Sequence, residues 1–469
     1  MQYNGKMLDL RSFYQATHPS QALVPDDPRD RQYYIDFAPV RGGRAIEKIQ
    51  NKIAYFSPDD PTCTLFTGYI GSGKSTELLQ LKKALEGDGF QVVYFESSDD
   101  LELADLDIPD VLLAISRRIC DTLDRVEIDK PRGFMVLLQG AAKILQTEFD
   151  LTQVELGIPE KVGIPGGLKF TADDGGKVSL GFGIGQITAK AKSDPSVREK
   201  LNQYLAPRTI KLLEMVNKEI LEPAIAKLKE QGKKGLVTIV DNLDRIESRS
   251  KIPGRPQPEY IFVDRGEYLA KLRCHTIYTM PLSLKFSNDY GILTQRFDDP
   301  KVLPMIPVYR ADGSDRQDSM KLLRNMVLAR AFPELSPDFE ETACDRAIAE
   351  IFDSRETLDR LCRISGGHVR DLLRLLHTWI EEEMSLPLTR ETLEGVIGNF
   401  RNEMILPISD TEWKLLRKVR RTKKVSDGEG YQQLIRSRFA FEYREDGKSW
   451  FDVNPILAEA EELQQEEDI

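Results

Sequence analysis

Cysteine and histidine are both scarce, and each shortage removes a class of chemistry. The five cysteines of this 469-residue chain (Cys63, Cys120, Cys274, Cys344 and Cys362) are odd in number, widely spaced and free of any CxxC pair. Neither a disulfide framework nor a cysteine-based zinc site is therefore expected. The four histidines are not paired at ligand spacing, which argues against imidazole metal chemistry. Long apolar runs are missing too: nothing approaches the roughly 20 residues that span a bilayer, and Met1–Arg11 has no apolar signal core. Positive charge is in deficit, and a net charge of -11 opposes wholesale coating of nucleic acid while leaving room for a local basic face. The expectation is a cytoplasmic protein with no membrane partner. Hydrophobic residues make up 41% of the chain, enough for sizeable cores. The length predicts roughly two to four domains.

Residues 1–40 are rich in Pro, Asp and Tyr and read as an extended N-terminal arm. Helical periodicity begins near Arg44, with Ile46, Ile49 and Ile53 on one face. The apolar run Cys63–Thr67 predicts a short buried strand entering a glycine-rich loop, with a helix over Thr76–Leu85 and a second strand at Gln91–Glu96. Helices are expected at Pro109–Arg125 and Phe134–Glu148. Leu168–Ala172 and Val178–Ile184 alternate apolar and other residues around Asp173–Gly176, which predicts a β-hairpin inserted at about 160–192. Gly181, Gly183 and Gly185 fall on one face of its second strand; with no helix after them they do not make a phosphate loop, so packing or a partner is the reading. A long helical stretch, Ser196–Gln231, precedes the strand Gly235–Val240, and another strand follows at His275–Thr279. Strands alternating with helices indicate a parallel sheet flanked by helices. The predicted organisation is an α/β domain at 41–310, a helical unit at 311–405 and a third unit at 406–469, with no internal repeat.

Gly68-Tyr-Ile-Gly71-Ser72-Gly73-Lys74-Ser75 matches GxxxxGK[ST], and it lies between a strand and a helix, the context that this loop requires. Glycines let backbone N–H groups converge on phosphate oxygens, and the following helix adds its positive end. Lys74 is the candidate for the β- and γ-phosphates, the Ser75 hydroxyl for Mg²⁺, and Gly68, Gly71, Ser72, Gly73 and Thr76 for the rest of the cradle. The strand Leu236–Val240 delivers Asp241 to the sheet's C-terminal edge, where it can hold Mg²⁺ or its water. Asp244, three residues on, is either the group that orients the attacking water or a helix N-cap. No Asn-Lys-x-Asp element is present, Asn217-Lys-Glu-Ile being mid-helix, so ATP rather than GTP is the expected nucleotide.

The C-terminal unit reads as helices at Thr411–Val419 and Tyr431–Arg438, then a hairpin from Phe439–Glu445 through Asp446-Gly447 to Ser449–Val453, a winged-helix pattern. Arg417, Lys418, Arg420, Arg421, Lys423 and Lys424 place six basic residues within eight and could neutralise DNA phosphates. The acidic tail Glu459–Asp468 would oppose nucleic acid nearby.

Together, Gly68–Ser75 and Val240-Asp241-Asn-Leu-Asp244-Arg245 resemble the AAA+/STAND division of P-loop ATPases; the Asp-x-Leu-Asp-Arg form is similar to KAP- and NACHT-type proteins. The resemblance implies a P-loop NTPase sheet with a helical lid and a C-terminal winged helix. It makes Thr279 the counterpart of a sensor-1 residue and Arg296, in Leu293-Thr-Gln-Arg296-Phe297, that of an arginine finger supplied to a neighbour. Arg370, in Ile364-Ser-Gly-Gly-His-Val-Arg370-Asp371, falls at the place of the lid's sensor 2, with His368 beside it a packing residue. Asn242 and Asp244-Arg245 depart from the usual NACHT pattern and leave the subfamily open. The function that this resemblance implies is an ATP-hydrolysing conformational switch. Such a switch would form homo-oligomers or engage a protein partner carrying an effector or sensor, in bacterial defence, antiviral defence included, or in signalling. The alternative is a DNA-binding initiator or transposition-type loader acting through its winged helix.

Overall fold

The computed structural model describes residues 8–123, 132–145, 180–333, 341–425, 429–445 and 447–464. Its centre is a parallel sheet of five strands: β1 (Cys63–Thr67), β2 (Gln91–Glu96), β3 (Leu236–Asp241), β4 (His275–Thr279) and the short β5 (Lys301–Val302). The spatial order is β2-β3-β4-β1-β5, and all four pairings are parallel. Every residue of β3 is buried, as its unbroken apolar run requires of a central strand covered on both faces. Alternation then divides the strand. Val237 and Ile239 join Leu78, Leu81 and Leu85 on one face, whereas Leu236 and Val240 join Val111, Ile115 and Ile220 on the other. All strands run in one direction, so their C-terminal ends share an edge, and β1 and β3 bring the glycine loop and Asp241 to it.

Two sequence expectations need correcting. The arm is not simply extended. It forms helices α1 (Leu10–Ala16) and α2 (Pro28–Tyr33), and Phe13, Ile35, Phe37 and Val40 are buried in one cluster with the lid. Tyr14 stacks on His377 with ring centroids 3.9 Å apart. Asp9 and Asp27 cap the two helices through their side chains, and Pro28 starts the second at the position where its missing N–H costs nothing. The inserted hairpin is the second correction. Leu168–Ala172 lies outside the described residues, but Leu180–Ser193 is an α-helix, not a strand. Ile184, Ile187, Thr188 and Ala191 are buried at helical spacing, and this periodicity outweighs the local alternation. Its glycines allow close approach to the helix Ile108–Thr122: a Cβ at Gly181 would fall 1.9 Å from Asp121, and one at Gly185 3.0 Å from Arg117.

That neighbouring helix starts with a capping box, Asp107 and Asp110 each accepting a hydrogen bond from the other end of the turn. Burial pushes the Asp110 carboxyl up to about 7, with Asp107 and Asp105 adding to the rise against the backbone N–H of Asp107 and the Lys251 ammonium. A carboxyl raised on folding contributes stability that is full below its unfolded value and is lost as pH rises towards 7. Asp110→Asn keeps an acceptor for the Asp107 N–H without the charge. In urea denaturation its stability should therefore gain on wild type by a few kcal/mol between about pH 5 and about pH 8. Parallel curves for the two proteins would remove Asp110 as the cause.

After the sheet comes an all-helical unit: Gln317–Ala331, Glu341–Ile351, Arg355–Ile364, Val369–Glu383 and Arg390–Ile405. Trp379, fully buried, packs on Phe352 at its centre, and Arg324 with Asp359 forms a buried ion pair at 2.5 Å. The chain ends in a small winged helix: helices Asp410–Thr422 and Glu429–Arg436, then antiparallel β6 (Ala440–Glu445) and β7 (Lys448–Val453). Among the described residues no helix is long and apolar enough to cross a membrane.

Candidate nucleotide-binding site

At the C-terminal edge of the sheet lies a cavity of ≈ 200 Å³. Its floor is the loop leaving β1, with Gly71, Gly73, Lys74, Ser75 and Thr76 on the lining. Gly71 and Gly73 sit at φ +94° and +98°, a left-handed backbone that side chains rarely tolerate. A Cβ at Gly71 would also come within 2.7 Å of the His368 ring and 2.8 Å of Arg370. Only glycine lets the loop meet the lid this closely. Helix α3 (Ala45–Asn51) precedes β1, and helix α4 (Lys74–Gly87) begins where the loop ends, so its first N–H groups and its positive end face the cavity. Lys74 is folded over the loop. Its Nζ donates to the carbonyl oxygens of Gly68 (3.0 Å) and Tyr69 (2.8 Å) and pairs with Asp244 Oδ2 at 2.8 Å, both side chains being almost fully buried.

The acidic wall comes from β2 and β3. Asp241 lies just behind the lining: its carboxylate accepts from the Tyr94 hydroxyl at 2.8 Å and from the Asn242 N–H at 2.7 Å. The Ser75 hydroxyl lies near the same Tyr94 oxygen, so one phenol neighbours both sequence-predicted Mg²⁺ ligands. Asn242 takes a left-handed φ of 63°, which asparagine tolerates, and its amide donates to Glu96 Oε2 at 2.5 Å. Burial, then Asp241 and Asp99, push the Glu96 carboxyl up. Asp244 follows in a single 3₁₀ turn and leaves Oδ1 buried with no hydrogen-bond partner.

Cations line the same cavity. Arg370, from the lid, and Arg245 line the cavity, as do Arg330 at the end of the lid's first helix and Arg41 from the arm. Arg41, Arg330 and Arg370 each keep at least one buried N–H without an acceptor. Burial depresses all three guanidinium groups, Arg330 to about 10, and at Arg370 the neighbouring Arg245 and Arg438 add to the effect. Buried, unsatisfied cations facing a glycine cradle at a helix N-terminus are what a polyphosphate anion would complete. The donor set therefore fits a nucleoside triphosphate, and a hydroxyl with a carboxylate fits Mg²⁺.

This is a P-loop NTPase fold. The central parallel sheet, the loop between β1 and α4, the acid ending β3, the helical lid and the winged helix are all in place. No protein-family model matches the chain, and no curated protein matches it significantly. Among solved structures it is similar to the Aeropyrum pernix ORC1 protein in complex with DNA, at 12% identity over 88% of this chain and 92% of that one, with a TM-score of 0.33. It is also similar to Drosophila ORC bound to DNA, at 13% identity over 99% and 93%, with a TM-score of 0.34. At these scores neither likeness bears on what this chain does.

Of the sequence-predicted residues, Gly71, Gly73, Lys74, Ser75, Thr76, Asp244 and Arg370 line the cavity, whereas Gly68, Ser72 and Asp241 lie directly behind it. Thr279 and Arg296 are not on the lining. The Thr279 hydroxyl is fully buried and donates to Val240 O at 3.5 Å, and Arg296 donates to the carbonyl of Val263. Asp298, two residues after Arg296, holds Lys52 at 2.8 Å. Sequence reasoning missed Arg41, Arg330, Glu77 and Glu96. Only Glu96 had a local signal, an acid ending a strand beside Asp241.

The C-terminal half grips the back of the loop at three successive residues. The Tyr69 hydroxyl donates to Ala440 O (3.1 Å) and accepts from the Glu442 N–H (2.8 Å) on β6. His368 Nε2 donates to Ile70 O at 2.9 Å, and Arg370 N–H to Gly71 O at 3.1 Å. His368 also stacks on Phe441, and Arg438 pairs with Asp371 at 3.2 Å. Loop, lid and wing are thus one hydrogen-bonded unit.

Proposed function

We propose that this chain is an AAA+-type ATPase that binds ATP with Mg²⁺, hydrolyses it, and uses the cycle to reposition its winged helix. The observation that carries the reading is the cavity's chemistry: a glycine cradle, Lys74 and three arginines with unsatisfied N–H groups line one cavity. Ser75 and Asp241 are the residues that would hold Mg²⁺, which when bound offsets phosphate charge. Lys74 leaves Asp244 for the phosphates, and Asp244, freed of its counter-ion, is positioned to orient water and take its proton. Arg370 draws the lid towards the γ-phosphate, and because His368 and Arg370 hold the loop, lid movement pulls on Tyr69 and the wing. Thr279, ending the middle strand β4 and bonded to Val240 O on β3, supports this wall, and Arg296 would act on a neighbour's site within a homo-oligomer.

The output has two readings. The wing is docked against the sheet domain: Gln432 on its second helix donates to Phe286 O, and Lys285 pairs with Glu442 at 2.6 Å. Releasing it would expose a face for a protein partner, which supports the switch reading. The initiator or loader reading is supported by the exposed Lys414, Lys418 and Arg421 on the wing's first helix and Lys424 just beyond its end, although Arg417 and Arg420 donate to main-chain carbonyls and Lys423 pairs with Asp452. ATP hydrolysis measured with and without duplex DNA separates them. Stimulation that fades as salt rises is the loader's signature; a rate indifferent to DNA favours a protein trigger. Asp244→Asn should keep ATP binding and slow turnover on the order of 100-fold, and normal turnover by this variant would remove Asp244 from the mechanism.

A further inference from the structure

Arg41 has no place in any P-loop motif, yet it is buried to 3% exposure against the cradle. Its Nη2 donates to Ser72 O at 2.8 Å and lies 3.8 Å from where a Gly73 Cβ would stand, beside the peptides that lead into α4. Nε and Nη1 are buried without an acceptor. No carboxylate lies within ion-pair distance of the guanidinium among the described residues; Glu77 and Asp36 act on it from farther off, and the Phe37 ring is 5.7 Å away. A buried guanidinium left with two free donors is costly unless an anion completes it.

The residue is held in place by an arm built around the cavity. Phe37 and Val40 anchor the segment in the lid core, Asp27 caps α2, and the Leu23 N–H donates to the hydroxyl of Thr76 on α4 at 3.2 Å. Residues 19–23, 33–35 and 37 contribute to the cavity lining along with Arg41. The arm therefore crosses from lid to cradle and reaches the loop with a single cation.

We infer that Arg41 is a phosphate-binding residue that the N-terminal arm supplies in cis, so that the arm is part of the polyphosphate site rather than a cover over it. The inference rests on the nucleotide reading of the cavity and extends it to the junction between the N-terminal arm and the P-loop domain. Arg41→Gln should weaken ADP and ATP roughly 10- to 100-fold, the worth of a charge-assisted hydrogen bond, and leave adenosine unaffected. Arg41→Lys should recover part of the loss, keeping the charge but not the fork.

Isothermal titration of wild type and both variants with adenosine, AMP, ADP and ATP provides the test, with urea denaturation of the free proteins alongside. A loss that grows with the number of phosphates supports the inference. Wild-type affinity of Arg41→Gln for ADP would overturn it, and so would an equal loss for adenosine and ADP, which would mark a purely structural residue. If wild type binds no nucleotide, the nucleotide reading itself falls and this inference with it; if wild type binds and Arg41→Gln matches it, only the inference falls.

Discussion

Lys74→Ala should bind ATP on the order of 100-fold more weakly than wild type or worse, and it should also unfold more easily. The first effect follows from the loop: Lys74 is the one lysine on the cavity lining, and it stands at the end of the glycine cradle. The second follows from the buried pair with Asp244, whose side chains are 5% and 4% exposed. Removing one member of a buried ion pair strands the other charge, at a cost of about 3–5 kcal/mol. Asp244 is poorly placed to absorb that loss, because its Oδ1 already lacks a partner. Lys74→Ala is therefore an impure blank for hydrolysis, and Lys74→Ala with Asp244→Asn is the cleaner one. The double variant should regain most of the stability while remaining unable to bind ATP. Urea denaturation and ATP titration of the three proteins check both parts. Near-normal ATP affinity in Lys74→Ala would refute the site, and wild-type stability in it would refute the buried pair.

The same pair bears on mechanism. Asp244 cannot serve as a base while Lys74 neutralises it, and Lys74 cannot reach a phosphate while folded over Gly68 and Tyr69. Phosphate arrival would exchange one partner for another and release the acid in the same movement. A lysine that must be captured from a carboxylate ties activation of the base to occupancy of the site.

What could be read in the sequence was whatever repeats locally. The β1–loop–α4 unit and the β3 run ending in Asp241 are short patterns set by backbone geometry, and they stand where periodicity put them. The wing's hairpin was legible for the same reason. The segment Leu180–Ser193 misled because its glycines alternate with Leu180, Phe182 and Ile184, a period of two that conceals the three- and four-residue spacing of Ile184, Ile187 and Ala191. The arm's burial was not legible at all: Phe13, Ile35 and Phe37 have no period, and the surface they cover is built from residues about 300 positions later. Arg41, Arg330 and Tyr69 share that difficulty. Their roles depend on what faces them across the fold, and for Tyr69 those partners are 371 and 373 residues away.

The lid turn yields the other large effect. Gly367→Ala should cost about 3–5 kcal/mol, combining a left-handed backbone with an overpacked contact. Gly367 sits at φ +74°, and a Cβ there would fall 1.8 Å from the carbonyl oxygen of Ile306. Backbone must then move, and the turn has little freedom. Its N–H is held by Ser365 Oγ at 3.1 Å, the next N–H by Ser365 O at 3.0 Å, and Tyr443 donates to Gly366 O at 2.9 Å. Gly254 provides the control, since its φ of +75° is almost the same but nothing lies within 4 Å of its would-be Cβ. Gly254→Ala should show the backbone cost alone, about 1 kcal/mol. Urea denaturation of both variants isolates the steric part by difference, and equal destabilisation would mean that the approach to Ile306 is not tight. The turn also positions His368 and Arg370 against Ile70 and Gly71, so Gly367→Ala should weaken ATP while Gly254→Ala should not. A lid variant that lost stability but kept full ATP affinity would show that the cradle holds its shape without the lid. The three-residue grip on the back of the loop would then be a consequence of packing rather than the route by which nucleotide moves the wing.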